Sequence, residues 1–185
     1  MAHRVCPWWL GYLLASPLRR LWQDPQKVLA PFIREGMTVL EPGPGMGFFT
    51  LELARLVGPS GRVVAVDIQP RMLASLKRRA ARAGLRERVE TRVAQADTLG
   101  IADLAGSVDF TLAFALVHEL PAAESFFAEV ARASKPRAGL LFAEPAGHVK
   151  APVFEAELNA AILAGFELVE RPAIRSSRTA FLKKI

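Results

Sequence analysis

The chain has 185 residues, of which 51% are hydrophobic and 23% charged, a balance that excludes a disordered or fibrous protein. Its one cysteine, Cys6, excludes an internal disulfide and a multi-thiolate metal site, and its three histidines (His3, His118, His148) are too scattered to read as a metal cluster. The net charge of +6 permits an anionic partner without requiring one.

The first apolar stretch, Cys6 to Leu18, is broken by Gly11 and Pro17 and falls short of the roughly 20 residues a membrane span needs. Two tryptophans and the lack of a small-x-small site argue against a secretory leader, so a cytoplasmic protein is expected. Residues 1–36 are expected to form helices across one edge of a sheet or over its mouth. Trp8, Trp9, Leu10, Tyr12, Leu13 and Leu14 there are a candidate substrate lid, with plain edge packing as the alternative.

From residue 37 onward, β-branched runs alternate with helical stretches. The expected strands are Met37–Glu41, Arg62–Val66, Val89–Val93, Val108–Phe114, Gly139–Ala143, Phe166–Arg171 and Arg178–Lys183. The expected helices are Phe49–Val57, Met72–Ala83 behind Pro70, Ala122–Ser134 between Pro121 and Lys135-Pro136, and Ala151–Ala164. Such alternation predicts an α/β fold with a doubly wound, mostly parallel sheet covered on both faces. The short polar link from Pro172 to Ser177 makes the last two strands an antiparallel pair. Residues 1–185 read as a single domain, with an arm over 1–36 and a core over 37–185.

The first strand runs into Glu41-Pro42-Gly43-Pro44-Gly45-Met46-Gly47, and the second ends at Asp67. In an open α/β sheet, ligands bind at these carboxyl ends, where a helix amide end suits an anion and an acidic residue about 20 positions on suits a ribose. A dinucleotide fingerprint places its third glycine at the position of Phe48, whereas the spacing here is Gly-x-Gly-x-Gly. Glu41 beside the glycines would repel a pyrophosphate but accept an ammonium and a sulfonium. That chemistry points to S-adenosyl-L-methionine as the cofactor.

Val39–Gly47 together with Val64–Ile68 resembles the first two motifs of the class I S-adenosylmethionine-dependent methyltransferases, and the similarity extends through Ala94–Asp97, Asp109–Phe114 and Ala143–His148. The resemblance covers roughly residues 30–185. It implies a Rossmann-like seven-stranded sheet in the order 3-2-1-4-5-7-6 with the seventh strand antiparallel. It also implies that Glu41, Gly43, Gly45 and Gly47 flank the methionine portion and that Asp67 holds the ribose. Ile68 would pack on the adenine, Asp97 with Thr98 would meet its amino group, and Phe114 would line the side from which the methyl leaves.

Methyl transfer needs a base only where the acceptor must lose a proton. The candidates are His118 and Glu119 after the fourth strand and Glu144 and His148 after the fifth, with His118 foremost because histidine titrates near neutrality. Each residue has a plainer reading: a tight glycine turn, a loop cap at Asp97, packing at His118, a simple loop at His148. The run Phe114-Ala-Leu-Val lacks the Pro-Pro-aromatic signature of nucleobase amino methylation, and a single cysteine argues against arsenic as acceptor. A small, apolar molecule is the expected substrate. Two alternatives stay open: an RNA methyltransferase docking through the basic window Arg71–Arg92, and a non-catalytic cofactor-binding module.

Overall fold

The computed structural model describes residues 23–185; the candidate lid and Cys6 lie outside the described residues. Asp24 accepts the Gln26 amide at 3.0 Å and opens a short helix, α1 (Pro25–Leu29), with Pro25 in its first turn. Then follow β1 (Thr38–Pro42), α2 (Thr50–Leu56), β2 (Arg62–Asp67), α3 (Pro70–Arg82), β3 (Val89–Val93) and β4 (Val108–Phe114). The chain continues through α4 (Ala123–Ala133), β5 (Ser134–Pro145), α5 (Ala151–Leu163), β6 (Phe166–Glu170) and β7 (Ser177–Lys184).

These strands form one seven-stranded sheet in the order β3-β2-β1-β4-β5-β7-β6. The β1–β2, β2–β3, β1–β4 and β4–β5 pairs are parallel, while β7 runs antiparallel between β5 and β6. Side chains alternate between the faces, and both faces are covered. Leu40, Val64, Ala113, Phe142 and Leu182 pack under α4 and α5. Val39, Val63, Ala65, Leu112 and Leu141 pack under α1, α2 and α3. The stretch after α1 extends this second layer, because Phe32 sits 6.0 Å from Phe110 and 4.6 Å from Phe181 between ring centroids.

Strands β3 and β4 occupy the expected residues, and β3, at an edge, is only half buried. The fifth strand begins earlier than expected, at Ser134 and not Gly139. Lys135-Pro136 does end α4, but the chain enters the sheet at once, with Ser134 opposite Val108 and a register shift before Phe110 meets Gly139. A proline without an amide donor is accommodated at such an irregularity.

Candidate active site

β1 and β2 deliver the first two candidate residues to the same end of the sheet, with Glu41 opposite Ala65 and Asp67 one position past the last β1–β2 pair. Gly43 follows β1 with φ +67° and donates to the Val66 carbonyl at 2.8 Å, which folds the loop back over β2. Gly45 donates to Asp67 Oδ2 at 3.3 Å, and the Gln69 amide donates to Oδ1 at 2.9 Å. A Cβ on Gly45 would meet nothing, whereas one on Gly43 would come within 2.9 Å of Leu116. Gly47 does not line the cavity; its missing Cβ makes room for Leu76. The following helix starts only at Thr50, beyond an intervening turn, so no helix end opens directly after the glycines.

Glu41 is buried, and its Oε2 has no hydrogen-bond partner among the described residues. Burial raises its pKa from 4.5 to about 8, with the Asp67 charge adding to the effect. Asp67 is raised from 3.8 to about 6 by burial, against the two backbone donors, with Glu119 contributing. An orphaned acidic oxygen beside a second buried carboxylate is what a cationic ligand relieves.

Both carboxylates open onto a cavity of about 890 Å³. Ile68, Asp97, Thr98, Phe114, His118, Glu119 and His148 also line it. Ile68 and Asp97 are exposed on its wall. The Thr98 hydroxyl donates to Glu129 Oε2 at 2.9 Å and accepts the Gly100 amide at 3.1 Å. Its side chain therefore braces the loop after β3. Phe114 stands 4.6 Å from Phe49, and Phe48 and Phe126 also line the cavity.

On the far side of β4, the short 3₁₀ turn Val117–Glu119 presents His118 to the cavity. Its Nδ1 lies 2.5 Å from Glu144 Oε2. Glu144, fully buried at the end of β5, also accepts the Leu116 and Val117 amides on Oε1, at 3.2 and 2.7 Å. With the carboxylate already accepting two amides, Nδ1 is the donor, and Nε2 carries a lone pair once the ring is neutral. Glu144 raises the His118 pKa above 6.5, chiefly through this hydrogen bond, with Glu119 and Glu157 adding to it. Glu144 itself does not line the cavity, and both its oxygens are engaged. The His148 ring lies 6.4 Å from that of His118.

Sequence reasoning missed Glu157 on α5. It is buried, Oε2 lacks a partner among the described residues, and burial with the Glu144 charge raises its pKa to about 7. The signal was present, because 157 falls within the buried stripe Phe154, Leu158 and Ala161. Arg79 was read only as part of a basic window, yet it donates to the Met46 carbonyl of the glycine loop at 2.7 Å.

Residues 33–178 match the family described as "Methyltransferase domain". A SAM-dependent methyltransferase from Aquifex aeolicus shares the fold with a TM-score of 0.87 and 26% identity, over 98% of this chain and 100% of that one. The ubiquinone/menaquinone biosynthesis C-methyltransferase UbiE of Brucella canis is 30% identical over 145 residues, 77% of this chain and 52% of that protein. An arsenite methyltransferase of Halobacterium salinarum is 33% identical over 101 residues, 55% of this chain and 25% of that protein. The chain thus spans between a quarter and about half of the length of these two curated relatives. With the sheet order, the glycine loop and the acidic strand ends in place, the chain belongs to the class I S-adenosylmethionine-dependent methyltransferases.

Proposed function

We propose that this chain moves a methyl group from S-adenosyl-L-methionine to a small molecule with a mainly apolar body, by in-line displacement. When bound, the cofactor supplies an electrophilic methyl on a sulfonium. Glu41 and the loop at Gly43 and Gly45 flank the charged methionine end, and Asp67 accepts the ribose hydroxyls. Ile68 and Asp97 meet the adenine, and Thr98 acts through the Glu129 brace. Phe114, Phe49 and Phe126 exclude water from the transfer path, where alignment is worth about 7–11 kcal/mol.

His118 Nε2 takes the proton of the acceptor, with Glu144 fixing the tautomer. The observation that carries the reading is the pair of buried carboxylates, Glu41 and Asp67, on neighbouring strands beneath a glycine loop, one oxygen left unpartnered.

Titration calorimetry with S-adenosylhomocysteine tests it. Asp67→Ala is expected to weaken binding by about 1.5–3 kcal/mol, roughly 10- to 150-fold, through loss of charge-assisted hydrogen bonds. Unchanged affinity in that variant, or no binding by the wild type, would remove the reading.

A further inference from the structure

Helix α5 is apolar on both of its faces. Phe154, Leu158 and Ala161 are buried in the core, while Pro152, Val153, Ala156, Ile162 and Leu163 are exposed on the other side. Glu155 and Asn159 are the only polar side chains exposed on this helix, and Arg171 already pairs with both Glu155 oxygens at 2.9 Å. The outer face of α3, by contrast, carries Arg71, Lys77, Arg78 and Arg82. A helix that is apolar all round is one that a folded protein covers on both sides. The apolar surface continues past the end of α5. Of the eight large hydrophobic residues exposed among the described residues, six lie here: Val153, Ile162, Leu163, Leu168, Val169 and Ile185, with Leu163 at 86% exposure. The Ile185 amide donates to the Gly165 carbonyl at 3.0 Å, which holds Ile185 beside the end of α5. A continuous exposed patch of this kind marks an interaction surface.

We infer that this surface docks a second copy of the chain, with α5 lying antiparallel against the α5 of that copy. The exposed positions 152, 156, 159 and 163 follow the four-three-four spacing of a helix-packing seam, flanked by Val153 and Ile162. That pattern reads the same from either end. A two-fold axis at mid-helix sets Pro152 against Leu163, Val153 against Ile162 and Ala156 against Asn159, each pair occurring twice, as an isologous contact requires. The small Ala156 near the axis lets the two backbones approach, and bulkier residues close both ends. Antiparallel helices also bring the amide end of each beside the carbonyl end of the other. Other occupants fit this surface less well. The β6 edge is blunted against sheet extension, because its pairing with β7 is irregular between Leu168 and Glu170, and Glu167, Glu170 and Arg171 interrupt it. Those two acids also repel an anionic lipid surface. The described chain starts at Gln23 on the cavity, and α1 packs on the sheet face opposite α5, so the junction with residues 1–22 lies across the sheet from this surface.

Sedimentation equilibrium tests the association. At micromolar concentration the wild type is expected at twice its 20.2 kDa, and Ile162→Lys with Leu163→Lys should halve that mass while keeping the wild-type circular dichroism. Cross-linking reads the arrangement separately. In a Cys6→Ser background, Val153→Cys and Ile162→Cys chains mixed together should form a disulfide-linked heterodimer. Val153→Cys alone should not, because its two copies would stand about 13 Å apart along the helix pair. A monomeric wild type, a dimer that survives the lysine substitutions, or cross-linking of Val153→Cys alone as readily as of the mixture overturns the inference. A monomer that floats with phosphatidylglycerol vesicles assigns the surface to lipid, and a bond from Val153→Cys to the native Cys6 of its own chain assigns it to residues 1–22. Either of these results overturns the inference as well.

Discussion

Glu144 commits one oxygen to two backbone amides and the other to His118, so it cannot also receive a proton from a substrate without breaking that set. Its effect is exerted through the imidazole. A carboxylate against Nδ1 favours the imidazolium, which makes His118 a stronger base that must first be emptied of its own proton. The sign follows: kcat/KM should rise with pH, with its midpoint above the ordinary histidine value of 6.5. Glu144→Gln removes the charge and should move that midpoint downward, against the residual influence of Glu119 and Glu157, while lowering the plateau. His118→Gln should cost about 10²- to 10⁴-fold and leave no such limb. A pH–rate profile with the limb unmoved in Glu144→Gln would show that His118 is not the titrating group. Glu41 and Asp67 were legible in the sequence because they close strands beside a glycine loop. Glu157 was not, because a single acid on a helix reads as solvated surface until its neighbours on the buried stripe are counted.

Helix α3 shows how one element serves two ends. Its buried residues Met72, Leu73, Leu76 and Ala80 hold it to the sheet, and its opposite face carries the basic window. Several of the eight cations between Arg71 and Arg92 are engaged by the fold. Arg79 donates to Met46, Arg88 to the Ala54 carbonyl at 3.2 Å, and Arg92 makes a two-pronged pair with Asp103 at 2.6 and 2.8 Å. These guanidinium groups brace the loop, α2 and the β3 edge. Arg79→Met is expected to loosen the glycine loop and reduce S-adenosylhomocysteine affinity about tenfold. Lys77→Gln and Arg78→Gln, on the exposed face, should leave the affinity as it was. Equal loss in all three, read by calorimetry, would mean that charge and not the loop contact matters. Element positions were readable wherever local pattern and pairing agreed, as in Val89–Val93 and Val108–Phe114. They were misread at the start of β5, where a proline stops the helix but pairing with Val108, which no local signal announces, has already begun the strand.

Across the molecule, three buried carboxylates pull stability in one direction. Glu41, Asp67 and Glu157 have folded pKa values of about 8, 6 and 7, each above its ordinary value of 4.5, 3.8 and 4.5 respectively. Between those limits the folded chain holds more protons than the unfolded one, so stability falls as pH rises. The fall starts near pH 4 and levels off only above pH 8. Glu41 contributes most, its shift corresponding to a penalty on the order of 5 kcal/mol when the group is forced to ionise within the fold. An acid kept in a place where it costs stability is one that a bound cation can neutralise, which links this cost to the cofactor site. The melting temperature of the free protein should therefore decline from pH 5 to pH 9. Glu41→Gln should flatten much of that decline, raising the melting point at pH 8–9 and changing it little at pH 5, while weakening S-adenosylmethionine binding. If the variant melts below the wild type at pH 9, Glu41 is not the buried acid that opposes folding there. If it melts higher yet binds the cofactor as well as the wild type, the stability cost has another origin than the site.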